Sequence, residues 1–221
     1  MVRLPSGIDL KELAVAQTKL ARRVVRRDAF GRFASVRRVA GVDVTYEGER
    51  AIAAVVVLDR ASLATVEEAT AVRREAFPYV PGYLSFREMP AAMAAFARLR
   101  AKPDLVMVDA HGVLHPRDLG FASHFGVELG VPTIGVAKSL WVGVLERAPR
   151  RGAPAPIRWH GKVGGYAVLS GRARNPVYAS IGHRVSARSA ARWVEEMSLH
   201  RVPEPTRRAH VLAGRAAGRG A

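Results

Sequence analysis

Two short runs restrict the fold of this chain more than any other part of it: DLVMVDA (104–110) and PTIGVAK (132–138). Each is a mostly apolar stretch of strand length and reads as a buried strand. A short helical pattern at about 119–129 lies between them. Ahead of this unit stand three strand candidates, at 36–46, 51–59 and 64–75. The turn EGER between the first two suggests a hairpin. Further on, YAVLSG and VYASIGH read as a strand pair. Helical patterns occupy 9–27, 90–100, 186–199 and 205–213. An antiparallel trio followed by strand–helix alternation predicts an α/β fold with a mixed sheet. No repeat and no composition break divides the 221 residues, so one domain over 1–221 is expected. The stretch 146–165 is the longest expected loop, and about 214–221 is expected to be a frayed basic tail.

In the first helix, Leu10, Leu13, Ala14, Leu20, Ala21 and Val24 step by three and four, with Gln17 the one polar intruder. Arg22, Arg23, Arg26 and Arg27 lie mostly off that stripe and face phosphate or water. Composition narrows the class. There is no cysteine, which excludes disulfides and thiolate metal sites. No apolar run approaches the roughly 20 residues of a membrane span, and the amino terminus lacks a secretory signal pattern. A cytoplasmic protein is expected. The formal charge is +16, with 35 basic residues against 19 acidic. A GC-rich genome explains arginine in place of lysine but not the shortage of acids, so a polyanionic partner is expected, most simply nucleic acid.

Three carboxylates stand out. Asp43, in VAGVDVTY, sits among valines, where a buried charge needs a partner or an ion; the bland alternative is a strand at a rim, where Asp43 meets water or an arginine. Asp109 ends LVMVD, at the end of a strand where functional groups of open α/β sheets gather; the bland alternative is an Asp that caps a turn. Glu88 ends Ser85-Phe86-Arg87-Glu88, a capping-box spelling. Were Ser85 the N-cap, Pro90 would fall inside the helix, at a cost of about 3 kcal/mol. With Pro90 at the first helical position, Glu88 lies just before the helix and is free to point elsewhere. If the first strand neighbours the fourth, the three acids converge, as hard divalent cations require. Such metals activate water in phosphodiester hydrolysis. Lys138 ends a buried strand and either touches phosphate or snorkels to water. His111 and His115 are spaced by four, but Gly112 and Pro116 argue against a helical zinc pair. Tyr79, on a loop stiffened by Pro78 and Pro81, is suited to stacking on a base or wedging into a base stack, or to ordinary packing.

The stretches AGVDV, PYVPGYLSFRE, LVMVDAHGVLHPRDLGFASHFG, VPTIGVAKS and PEPTRRAH occur in this order and cover most of the chain from about residue 40. Together they closely resemble endonuclease V, the deoxyinosine-specific nuclease family. The resemblance implies a ribonuclease-H-like mixed sheet flanked by helices. It implies Mg²⁺-dependent hydrolysis, with Mn²⁺ substituting, of the second phosphodiester bond 3′ to deoxyinosine in DNA. The products are 3′-hydroxyl and 5′-phosphate ends, and the expected state is a monomer. By position, Asp43, Glu88 and Asp109 match the metal-binding carboxylates and His210 a histidine near them. Lys138 matches the active-site lysine, and His115 a histidine close to the substrate phosphates. Tyr79 falls in the strand-separating wedge, and Gly82 and Leu84 in the pocket for the rotated base. Two departures bear on base specificity. Ala110 stands where the family usually has glycine, and Phe121 is bulkier than the aliphatic residue expected there. Inosine-containing RNA is the alternative substrate, and a binder of distorted nucleic acid with weak catalysis is the alternative of another class.

Overall fold

The structure, a computed structural model, describes residues 8–74, 77–171 and 173–218. Position 75 of the third predicted strand and positions 219–221 of the predicted tail lie outside them. The first helix, α1 (Leu10–Ala21), is capped by Asp9, whose carboxylate accepts from the Lys11 N–H at 2.8 Å. It stops well short of residue 27. A 3₁₀ turn (Phe33–Ser35) leads into β1 (Arg38–Glu47), β2 (Arg50–Asp59) and β3 (Thr65–Arg74), an antiparallel meander. The predicted hairpin is present, its turn closed by Gly48 in the left-handed region at φ 56°.

Next come α2 (Leu84–Ala97), β4 (Leu105–Val108), α3 (Phe121–Leu129) and β5 (Thr133–Ala137). Both β4 and β5 run parallel to β1. The remainder is β6 (Val144–Leu145), β7 (Ala155–Trp159), β8 (Lys162–Val168), β9 (Val177–His183), α4 (Ala187–Glu196) and α5 (Glu204–Ala216). The nine strands form one mixed sheet in the order β3-β2-β1-β4-β5-β9-β8-β7-β6, flanked by helices. This is the ribonuclease-H-like α/β arrangement that the resemblance implied.

Burial explains the layering. Residues 51–58 of β2 are wholly buried, so the strand needs cover on both faces. On one face α2 and α3 pack through Ala91, Ala95, Phe96 and Phe125 against Ala40, Val42, Val55 and Val108. On the other, α4 inserts Trp193 beside Val39, Leu105 and Met107, while Ala209 of α5 meets Val56 and Leu58. The Phe33 ring stacks on Trp193, centroids 3.9 Å apart.

Three expectations are corrected. Helix α2 begins at Leu84, so Ser85, Glu88 and Pro90 are all internal to it; Tyr83 is the N-cap, without a side-chain cap bond. Pro90 leaves the Phe86 carbonyl without its helical donor, at a cost of about 3 kcal/mol. Burial of Phe96 alone offsets about 1.5–3 kcal/mol of this, and three buried alanines of the same helix add to it. The stretch 146–165 is no open loop: it holds β7 and the start of β8, joined by His160 and Gly161, both at positive φ. Residues 214–216, expected to fray, complete α5, whose inner face buries Ala209 and Ala213.

Candidate active site

Asp43 and Asp109 are brought side by side by strand register. Val42 of β1 pairs with Val108 of β4 in parallel, and the Asp109 N–H donates to the Val42 carbonyl at 3.1 Å. Each aspartate directly follows its member of that pair. Gly41 then admits a third element. A Cβ there would lie 1.9 Å from the Pro205 carbonyl oxygen, so only glycine lets the start of α5 rest on β1. From α5, His210 places its Nδ1 at 2.9 Å from Asp43 Oδ2. Ligand atoms of Asp43, Asp109 and His210 all fall within 4.8 Å of one another. Lys138, just past β5, donates from Nζ to Asp109 Oδ2 at 2.6 Å.

Glu88 enters from α2. It is outside that closest set of three, but it faces the same charges. Burial first, then the Asp43 carboxylate, pushes its pKa up to about 8, although its Oε1 accepts from the Tyr46 hydroxyl at 3.3 Å. Asp43 is also raised, by burial first and then by Asp109, with His210 opposing. The two acids are only 8% and 9% exposed. Buried carboxylates that repel one another ionise together only beside a cation. Carboxylate oxygens joined by one imidazole suit a hard divalent ion, so the residues present fit Mg²⁺ or Mn²⁺.

Beside the cluster opens a cavity of about 360 Å³. Its lining includes Tyr79, Gly82, Leu84, Ala110, His115 and Phe121, and Ala110 is the residue next to Asp109. All the residues singled out for base recognition are thus brought together. Tyr79 stands at the mouth, 60% exposed. His115 is buried in the wall rather than set among the acids. Its Nδ1 accepts from the Arg117 N–H at 3.2 Å, and burial, then Arg117, lowers its pKa to about 4.

The loop that carries Tyr79 is tied down by a buried polar clamp. Gly82 sits at φ +86°, and its carbonyl accepts from Arg117 Nη2 at 2.6 Å and from Gln17 Nε2 at 2.9 Å. Arg117 Nε in turn donates to Gln17 Oε1 at 2.6 Å. A wholly buried glutamine is stable only because these partners satisfy it.

The endonuclease V family model matches residues 18–211, taking in Asp43, Glu88, Asp109, Lys138 and His210. The chain belongs to the endonuclease V family. Endonuclease V of Roseiflexus castenholzii is 47% identical over 211 residues, covering 95% of this chain and 94% of that one. The crystal structure of Streptomyces avermitilis endonuclease V superposes with TM-score 0.89 at 41% identity, covering 99% and 98% of the two chains. Endonuclease V of Ciona intestinalis, in complex with a 24mer DNA containing an inosine followed by a ribo-adenosine, is 28% identical with TM-score 0.85, covering 95% and 98%.

Several residues of this endonuclease V site escape a reading of the sequence. Gln17 was visible as a polar residue on an apolar stripe, but its partners lie 65 and 100 residues away. Tyr46 follows Asp43 by three positions in the same strand. His111, whose Nδ1 is buried without a partner among the described residues, was marked only by its spacing from His115, read there against zinc, and Trp141 lines the cavity with no signal to mark it.

Proposed function

We propose that this chain is a Mg²⁺-dependent endodeoxyribonuclease that hydrolyses the second phosphodiester bond 3′ to deoxyinosine in DNA, leaving 3′-hydroxyl and 5′-phosphate ends. The observation that carries the reading is the junction at Asp109-Ala110, where the acid cluster and the apolar cavity meet. A base held in the cavity leaves its own strand lying across the carboxylates.

Asp43, Asp109 and Glu88 would hold the ion, which when bound supplies Lewis-acid stabilisation and an activated water. His210 holds the Asp43 carboxylate and offers an imidazole for moving a proton at the attacking water. Lys138 orients Asp109 and, half exposed, faces the phosphate to offset its charge. Tyr79 fills the space the rotated base vacates, while the Gln17–Arg117 clamp fixes the loop beneath it. The basic surface holds the backbone. The chain acts as one domain and one copy.

The ribo-adenosine that follows inosine in the Ciona complex favours a second reading, in which the substrate is inosine-containing RNA. One experiment separates these readings from a catalytically weak binder. Matched DNA and RNA oligonucleotides, each with a single inosine, are incubated with Mg²⁺ or with EDTA. The proposal expects Mg²⁺-dependent cutting of the DNA one nucleotide beyond the inosine's 3′ neighbour bond. Cutting of RNA alone establishes the second reading, and binding without cutting of either overturns both.

A further inference from the structure

Two exposed aromatic rings stand at the cavity. Tyr79 is one. The other is Trp141, 46% exposed, two residues beyond the end of VPTIGVAKS and outside every stretch that carried the family resemblance. An indole pairs a large apolar face with a polar edge, which suits it to a flat aromatic partner.

Its contacts place it as a wall of the cavity. The Trp141 and His115 rings stand nearly perpendicular, centroids 5.1 Å apart at 84°, and the Trp141 ring lies 6.3 Å from that of His111. Its far tip reaches the wedge loop, since a Cβ on Gly82 would sit 3.7 Å from Trp141 Cη2. The indole therefore stretches from the segment after β5 to the Tyr79 loop. Among the described residues no carboxylate lines the cavity. The chamber suits a planar, uncharged, aromatic guest.

We propose that Trp141 is a base-stacking residue, whose indole face covers the purine that enters the cavity. The inference rests on the reading of the cavity as the base site and adds the residue that grips the base there. Tyr79 and Trp141 then divide the work. Tyr79 holds open the stack the base has left, and Trp141 receives the base itself. The bland alternative is an indole that only packs against His115 and Gly82.

The test is binding in EDTA, which reads no cleavage. The full chain is titrated with a fluorescein-labelled single strand carrying one deoxyinosine, and with the same strand carrying an abasic site in its place. Trp141→Ala is expected to weaken the deoxyinosine strand about tenfold or more, on the scale of base–aromatic stacking, and to leave the abasic strand unchanged. Trp141→Phe retains most of the affinity. Tyr79→Ala, by contrast, loses more on a deoxyinosine duplex than on the single strand. Equal losses of the Trp141→Ala protein on both strands, or none on the deoxyinosine strand, overturn the proposal. So does a wild-type protein that binds the two strands alike. A protein that shows the Trp141-dependent preference but does not cut deoxyinosine DNA keeps this inference and loses the cleavage reading.

Discussion

The acid cluster and the cavity share the peptide bond between Asp109 and Ala110, yet they are built on opposite principles. The cluster is held by charge: Lys138 on Asp109, His210 on Asp43, the Tyr46 hydroxyl on Glu88. The cavity is held by shape, with Gly82, Ala110, Phe121 and Trp141 around an opening that, among the described residues, no carboxylate lines. Changes in the first should abolish turnover whatever the base, and changes in the second should alter which base is accepted. On the proposed reading, chemistry and selection are separable by a single residue step.

The largest effect expected is at the cluster. Asp43→Ala or Asp109→Ala should lower cleavage by on the order of 1,000-fold, the scale of losing a main electrostatic element, for every base tested. Folding should survive. Without divalent ions the variants should melt at or above the wild-type temperature, because a repelling buried charge has gone. Calorimetry in EDTA beside a cleavage assay checks both, and near-normal cleavage at ordinary Mg²⁺ would break the comparison.

Gln17→Leu strikes the cavity's foundation without touching either site directly. It removes an acceptor from Arg117 and a donor from Gly82, and should cost about 1–3 kcal/mol of stability. Urea unfolding gives that figure. Steady-state kinetics should show the change in KM rather than kcat, as the Tyr79 loop loses its fixed position.

Ala110→Gly should sharpen the contrast further. A single methyl on a pocket wall is worth about 1–3 kcal/mol. Deoxyinosine cleavage is expected to rise or stay level while deoxyuridine and mismatches are better tolerated, with melting nearly unchanged. Competition between these substrates measures the ratio, and a large loss on deoxyinosine would mean that the methyl aids recognition.

The smallest effect concerns the support of α5. Glu204, nearly inaccessible, accepts from Arg207 at 2.7 and 2.8 Å and from Arg208 at 3.3 Å, and these bonds, Arg207 foremost, lower its pKa from the ordinary 4.5. A depressed folded-state value gives stability that is present above the unfolded pKa and is lost as pH falls through the folded one. Glu204→Gln should therefore melt lower at neutral pH and show a flatter decline below about pH 4.5. An unchanged acid limb in a melting series would remove Glu204 from the account.

Local pattern carried a good part of this to the sequence. Strands 51–59 and 104–110 were legible because a run of apolar residues has few alternatives, and the acids stood out against valines. Pro90 misled because its local cost is real; only the burial of α2 against the sheet outweighs it. The β7–β8 hairpin was hidden by Gly, Pro and Arg, which weaken the strand signal, and its stability comes from pairing with β9 and from Leu114 packed on Ala155 and Ile157. Gln17 and Trp141 were illegible as site residues because their partners are distant in sequence, and nothing local encodes a meeting across the fold.

Gly41 has a consequence in time as well as in space. The surface it leaves bare on β1 is covered by α5, and the imidazole that joins Asp43 lies 167 residues later. At about 5–20 residues per second on the ribosome, the interval between them is on the order of ten to thirty seconds. Once Lys138 has been added, both aspartates are also in place, but the groove at Gly41 is open and the cluster lacks its last member. The order of synthesis therefore makes the helix that seats on one missing methyl the final component to arrive.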